Sequence, residues 1–403
     1  MGKVQNISRI KNRVTSCFLL GLVSICCDWA IAQQGAVPVP RPKIVHSFVP
    51  DKFYETADPL PPGSPGELIR SVEFDRYDLP GDVLAVRILY HSQSAAGHDV
   101  AVSGVVLLPD KKAPNEGWPV IAWAHDLNGV ARTCAPTLAR NLRSGSLLAM
   151  YVQLGYAIVA TDYAGLGSKG RNASSDMNSN ANDVIYSITA ARKAVPRLGA
   201  RWVAMGMNEG AMAAIAVAEI EAHAHDANYL GSIAIGGLQD VQQEFGSPQR
   251  VSAWALLSLA YGVQTVYPKF QVSDILTAAG TSLLNRLGNE CDGDASFSEA
   301  AADLVKPNWE NNSFVQSYFG RNRPGGSPIH APVLVLSSDV DPHFRETSGI
   351  VSRLCSSGDT VQFDKYPGTD PAAVIGDSVR DQIQWMQGVF ANRSPHNDCS
   401  SER

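Results

Sequence analysis

The stretch that decides the fold is RWVAMGMNEGAMAAIAV, residues 201–217. Residues 201–205 are mostly apolar and are typical of a buried strand, and residues 210–217 are typical of a buried helix. Between them, Gly206, Asn208 and Gly210 have the spacing of a Gly-x-Ser-x-Gly turn, in which a serine between strand and helix carries the nucleophilic hydroxyl. In this chain an asparagine takes the place of that serine.

Asn208 is compatible with such a turn but not with its chemistry. The central residue of the turn is held at positive φ, a backbone region that asparagine tolerates better than most residues. A carboxamide has no hydroxyl that a general base can activate, so covalent acyl transfer through this position is lost. The sequence therefore predicts a retained turn without its nucleophile.

Length and charge exclude several classes of protein. The 403 residues, 45% hydrophobic and 18% charged, are enough for one large domain with an insertion. The formal net charge is -6, and it becomes -9 without residues 1–32, because four basic residues and one aspartate leave with them. An acidic surface argues against binding to nucleic acid.

Residues 1–32 have the pattern of a cleaved signal peptide. Basic residues precede an apolar run at 14–26, and Ala30-Ile31-Ala32 matches a signal-peptidase site, so cleavage is predicted after Ala32. The apolar run is shorter than a bilayer span and no later run reaches that length, so no transmembrane segment is expected. Contact with a membrane surface stays open. We expect a secreted or periplasmic protein.

Four cysteines follow the cleavage site: Cys134, Cys291, Cys355 and Cys399. An even number in an exported chain predicts two disulfides, and three connectivities remain open from the sequence. Their spacing does not match a zinc site, so no metal is expected. No motif indicates a cofactor.

The rest of the chain predicts an α/β fold, a mostly parallel sheet with helices on both faces. Residues 33–75 begin with a proline-rich stretch and are interpreted as an N-terminal arm. Two parts of the core, 76–239 and 329–403, flank a helical insertion at 240–328, where apolar residues recur at helical spacing. These helices either form a cap over an active-site face or simply pack on the domain. The predicted strands are 84–89, 100–108, 119–123, 156–161, 201–205, 232–235, 332–336 and 361–366, and helices are predicted at 182–194 and 210–222.

Further short motifs follow one another in order across residues 50–399. They are DKFY at 51–54, LYHS at 89–92, SG at 103–104, LLP at 107–109, AHD at 124–126, CAP at 134–136, TDYAGLG at 161–167, the turn at 206–210, Asp341, YPG at 366–368 and Trp385. Taken together they resemble the secretory lipase family, which comprises α/β-hydrolases of the yeast lipase A type and bacterial relatives. The resemblance implies an α/β-hydrolase fold and hydrolysis of triacylglycerols or other carboxylic esters.

The resemblance also implies roles for individual residues. Asn208 stands at the nucleophile position, Asp341 at the position of the triad acid, and Asp370 at the position where the family has its histidine. Asp126 and Glu209 stand at the oxyanion-hole positions. The family pairing of cysteines implies bonds Cys134 to Cys291 and Cys355 to Cys399.

Acyl transfer needs a nucleophile, an imidazole and a carboxylate, and in this chain only the carboxylate remains. We therefore expect a catalytically impaired, lipid- or ester-binding protein. The alternatives are hydrolysis by water that Asp341, Asp370 or His125 activates beside the oxyanion donors, and a scaffold whose cleft binds nothing. His125 either lines the pocket or braces its loop, and His343 is interpreted as a loop residue. A lipid or ester is the expected partner, and any protein partner is unknown.

Overall fold

The computed structural model describes residues 47–224, 226–245, 251–291 and 297–399. The predicted signal peptide and its predicted cleavage site lie outside the described residues. Residues 44–403 belong to one compact unit. No helix among the described residues is long and apolar enough to cross a lipid bilayer.

A nine-stranded sheet forms the centre of this unit, in the order β1-β2-β3-β5-β4-β6-β7-β8-β9. β1, β2, β3 and β5 pair antiparallel to one another in that order. From β5 onward every neighbouring pair is parallel. The strands are β1 Leu68–Glu73, β2 Val83–Gln93, β3 Asp99–Pro109, β4 Trp118–Ala124, β5 Ala157–Thr161, β6 Leu198–Met207, β7 Tyr229–Ile235, β8 Val333–Ser338 and β9 Val361–Tyr366.

Helices connect the strands and cover both faces of the sheet, which confirms the predicted fold class. They are α1 Gly145–Gln153, α2 Met177–Ala194, α3 Glu209–Ala224, α4 Val241–Phe245, α5 Ala253–Val266, α6 Ala278–Leu287, α7 Ala301–Leu304, α8 Ser313–Arg321, α9 Phe344–Ser356, α10 Val374–Asp377 and α11 Val379–Phe390.

The alternation of side chains along the strands divides the core into two layers. In β6, Trp202 and Ala204 face the layer that holds α2, α3 and the helices after β7. Val203 and Met205 face the opposite layer, with α1 and α11. Because both faces are covered, the parallel strands are apolar on both sides, as the sequence predicts.

All eight predicted strands and both predicted helices are present. β1 was not predicted and lies inside residues 33–75, which the sequence assigned to an arm. Its sequence, LIRSVE, lacks apolar alternation because β1 is an edge strand whose residues are half-buried or exposed. Residues 68–73 therefore form an edge strand of the sheet within the segment assigned to the arm.

The helices α4 to α8 all lie between β7 and β8, within the segment 240–328. Their apolar side chains, among them Leu256, Val263 and Phe319, join the same hydrophobic cluster as α2 and α3. This segment therefore packs directly on the layer of the core that contains the start of α3.

Two disulfides tie distant parts of the unit together. Cys134 bonds to Cys291, with 5.3 Å between their Cα atoms, and links the loop after β4 to the segment after α6. Cys355 bonds to Cys399, with 5.0 Å between their Cα atoms. This is the pairing that the family resemblance implied.

Candidate functional site

The two glycines of the 206–210 turn allow its close packing. A Cβ on Gly206 would lie 2.0 Å from the carbonyl oxygen of Gly210, and a Cβ on Gly210 would lie 2.0 Å from that of Ala124. Any larger residue would therefore push α3 away from β6 and β4. The spacing read from the sequence corresponds to a real steric constraint.

Asn208 occupies the summit of the turn, between β6 and α3. Its φ is +50°, the left-handed region that the motif requires. Its backbone N–H donates to the carbonyl of Ile235 at 3.0 Å, and its own carbonyl accepts from Ala211 at 2.9 Å. The turn therefore keeps the backbone of a nucleophile elbow, while its side chain is an amide.

The side chain of Asn208 is bound to the carboxylate of Asp126, in the loop after β4. Asn208 Nδ2 donates to Asp126 Oδ2 at 2.8 Å. Asp126 Oδ1 accepts the backbone N–H of Leu127 at 2.7 Å and, in a longer contact of 3.4 Å, the N–H of Glu209. Burial raises the pKa of Asp126, and these three donors oppose that shift.

The N–H of Glu209 is the oxyanion donor that the sequence predicts, since in this fold it belongs to the residue after the nucleophile. In the structure this N–H points at the Asp126 carboxylate rather than into an open site. The Asp126 side chain is therefore the hydrogen-bond partner of this N–H in the structure.

The side chain of Glu209 ties α3 to residues on another loop and helix. Its Oε1 accepts the backbone N–H of Ser175 at 2.6 Å and the Asn180 amide at 3.2 Å. Ser175 has a φ of +61°, so this hydrogen bond holds a strained backbone in place. Burial, reinforced by the charge of Asp126, raises the pKa of Glu209 to about 7.

His125 braces the loop that carries Asp126. Its Nε2 lies 3.1 Å from the carbonyl oxygen of Asp162, and its Nδ1 lies 3.0 Å from the amide nitrogen of Asn128. Nδ1 also lies 2.6 Å from the carbonyl oxygen of Asp126, so a neutral ring, which has one N–H, donates to only one of the two carbonyl oxygens. The ring packs on Tyr163, and burial lowers the pKa of His125 to about 4. A neutral imidazole with both nitrogens engaged is a structural group, which was one of the two roles expected for it.

Asp341 lies beside the glycine that follows the one bordered by Asn208. A Cβ on Gly236 would lie 2.6 Å from Asn208 Oδ1, and a Cβ on Gly237 would lie 2.7 Å from Asp341 Oδ1. The two side chains therefore border adjacent glycines at the end of β7. The Asp341 carboxylate is buried and accepts the backbone N–H of His343 at 2.7 Å.

His343 does not act as a partner of Asp341 through its ring. Its imidazole lies over Gly237, and its Nε2 is 3.3 Å from the amide nitrogen of Gln239. His343 directly precedes α9, and its backbone N–H donates to the Asp341 carboxylate. Its position agrees with the interpretation as a loop residue.

Asp370, at the position of the family histidine, is exposed and makes a local contact. Its carboxylate accepts the N–H of Ala372 at 2.8 Å and caps a short 3₁₀ turn, Pro371–Ala373. Asp341 is instead hydrogen-bonded to His343. Within the described residues, the structure gives no hydrogen bond that joins Asp370 to Asn208 or to Asp341.

Sequence reasoning missed the residues that complete the site. Leu127 contributes a backbone N–H, which carries no sequence signal. Ser175 and Asn180 lie 34 and 29 residues before Glu209 and reach it only in the folded chain. Within the described residues, no group of three or more histidine, cysteine, aspartate or glutamate side chains is arranged to hold a metal ion.

The strand order and the elbow at the carboxyl end of β6 define the class of protein: the chain has an α/β-hydrolase fold. The structure is similar to that of Candida antarctica lipase A, with a TM-score of 0.69 and 16% identity over 86% of this chain and 87% of that chain. It is also similar to the rice cell wall degrading esterase LipA from Xanthomonas oryzae, with a TM-score of 0.67 and 16% identity over 81% of this chain and 98% of that chain. No protein-family model matches the sequence, and no curated protein matches it. At 16% identity these likenesses establish the fold.

Proposed function

We propose that this protein is exported, binds a lipid or another carboxylic ester at the carboxyl edge of the sheet, and does not hydrolyse it through an acyl-enzyme. The observation that carries the proposal is the amide of Asn208 at the summit of the elbow, bound to Asp126 at 2.8 Å. Nothing at this position can attack an acyl carbon at neutral pH.

The two missing catalytic groups have separate roles in acyl transfer. Asn208 replaces the nucleophile, and Asp370 replaces the histidine that would take its proton. An intact oxyanion hole alone retains on the order of a thousandfold acceleration over water. In this chain the Glu209 N–H already holds the Asp126 carboxylate, so even that residual contribution is reduced. A working esterase would need an open donor and a base that this site lacks.

The proposal of an ester or lipid ligand is supported by the similar structures, a lipase and an esterase. The cavity beside Glu209 is lined by Met177, Met212 and Val241 and has a volume of only about 20 Å³. That volume holds a single water molecule. We propose that an acyl chain enters this cavity when part of the cap segment at 240–328, which includes Val241, moves away.

Export is supported by the two disulfides, which are stable in an oxidising compartment. The N-terminal sequence of residues 1–32 adds to this support. Detection of a mature chain that begins at Gln33 in culture medium or periplasm would test the proposal.

Hydrolysis is tested with p-nitrophenyl butyrate and p-nitrophenyl palmitate on the purified protein and on its Asn208→Ala variant. We expect the same background rate in both proteins and no labelling by a fluorophosphonate serine probe. A rate well above buffer that Asn208→Ala abolishes would refute the loss of catalysis at position 208. A rate that persists in Asn208→Ala but disappears in Asp341→Asn would instead favour a water-activating site.

Binding is tested by titrating methyl octanoate into the same two proteins. Saturable heat or a rise in Tm with the wild-type protein is the expected result. No response to methyl octanoate or to longer esters would refute the proposed ligand class and favour a scaffold whose cleft is empty.

A further inference from the structure

We infer that Asp126 is a built-in anionic occupant of the site, and that the wild-type protein consequently selects uncharged ligands and rejects free carboxylates. The inference deepens the proposed function and rests on it for the identity of the ligand. Its structural basis, the placement of the Asp126 carboxylate, is independent of any ligand.

The Asp126 side chain takes one N–H that an acyl oxygen would need, that of Glu209, together with two neighbouring donors. It receives the N–H of Leu127 at 2.7 Å, the N–H of Glu209 at 3.4 Å and the amide of Asn208 at 2.8 Å. These donors come from the loop after β4 and from the summit of the elbow, the two elements that together form an oxyanion hole in this fold. An external carboxylate could bind them only if the Asp126 carboxylate left.

Asn208 is well suited to hold such an occupant. A serine at this position has one hydroxyl proton, whereas the Asn208 amide has two N–H donors and is placed by the φ of +50°. Its Nδ2 reaches Asp126 while its Oδ1 lies against Gly236. The replacement at 208 and the acidic residue at 126 therefore form one hydrogen-bonded unit rather than two unrelated losses.

The charges around this unit also disfavour an anionic ligand. Glu209 lies close enough to Asp126 for each charge to affect the site, since the charge of Asp126 raises the pKa of Glu209. Asp341 lies beside Gly237, the neighbour of the glycine that the Asn208 side chain borders. A fatty-acid anion would add another negative charge to this group, whereas an ester or alcohol of the same length would not.

The experiment compares octanoate with methyl octanoate, a pair that differs in charge at the acyl end, by calorimetry at pH 8. The proteins are the wild type, Asp126→Asn and Asp126→Gly. Asp126→Asn removes the charge but leaves a side chain in place, and Asp126→Gly removes both. The Tm and near-ultraviolet circular dichroism of each variant verify that it is folded.

We expect the wild type to bind octanoate at least tenfold more weakly than methyl octanoate. Asp126→Gly should bind octanoate at least tenfold more tightly than the wild type. The carboxylate of octanoate can then accept the N–H groups that Asp126 has vacated. Asp126→Asn should gain less, because its side chain still occupies them. Asp341→Asn, the matched loss of one charge at the other border of the site, should gain less than Asp126→Gly.

Equal affinity of the wild type for octanoate and methyl octanoate would overturn the inference while leaving the proposed function intact. Equal gains in octanoate affinity in Asp126→Asn and Asp126→Gly would overturn the inference that the Asp126 side chain occupies the site. The charge of Asp126 alone would then explain the selectivity. If the wild type binds neither compound, the proposed function fails. The Asp126→Gly variant then still decides the inference, since uptake of octanoate supports an anion cradle and no uptake refutes it.

Discussion

Replacing Asn208 with alanine or glycine separates the hydrogen bond of this residue from its backbone conformation. Both variants lose the Nδ2 contact of 2.8 Å to the Asp126 carboxylate. A hydrogen bond to a charged group contributes about 1.5–3 kcal/mol. Alanine must also adopt the φ of +50°, which costs about 1 kcal/mol more than it does for glycine. We therefore expect Asn208→Ala to lose about 2.5–4 kcal/mol and Asn208→Gly about 1.5–3 kcal/mol.

The assay is the apparent Tm of the two variants, measured at pH 8. For a chain of 403 residues, 1 kcal/mol corresponds to a Tm shift of about 1–2 °C. Asn208→Ala should therefore melt several degrees below the wild type, with Asn208→Gly between them. A Tm equal to that of the wild type in both variants would refute the hydrogen bond to Asp126. An alanine variant more stable than the glycine variant would refute the positive φ.

Two further predictions concern stability. Glu209 has a pKa raised to about 7 from an ordinary 4.5, so the stability that it contributes is present below pH 4.5 and is lost as the pH rises to 7. Glu209→Gln keeps an oxygen that accepts from Ser175 and Asn180. Its free energy of unfolding should equal that of the wild type at pH 4.5 and exceed it at pH 8 by up to about 3 kcal/mol. A difference in Tm that does not change with pH would contradict this. The Cys134–Cys291 bond spans 157 residues and the Cys355–Cys399 bond spans 44, which corresponds to about 5 and about 4 kcal/mol of loop-closure entropy. Paired Cys→Ser variants should therefore show the larger drop in Tm for the Cys134–Cys291 bond, and the reverse order would show that native-state contacts outweigh chain entropy.

The backbone of the turn at 206–210 follows from local sequence, whereas the partner of its central side chain does not. The spacing of Gly206, Asn208 and Gly210 predicts the turn, because steric exclusion at the two glycines and the positive φ between them are local properties of the backbone. The position of the missing nucleophile follows from the same pattern. The spacing carries no information on which group binds the Asn208 amide.

Edge strands and buried strands differ in how far their own residues predict them. Continuous apolar runs predict β4 to β8, since strands buried on both faces need apolar residues at every position. β1 has no such requirement, and its register against β2 depends on the partner strand. Its existence was therefore decided by tertiary pairing, not by its own residues.

By itself, the sequence determined the fold class, the elbow and the absence of a hydroxyl at 208, because each depends on local periodicity or on the identity of one side chain. Tertiary structure alone decided that the Asp126 carboxylate takes the Glu209 N–H, that Glu209 reaches Ser175, and that Asp370 caps a turn. The physical reason is that a polar side chain bonds to whichever donor or acceptor packing brings within about 3 Å, and residues far apart in the chain reach that distance only after folding.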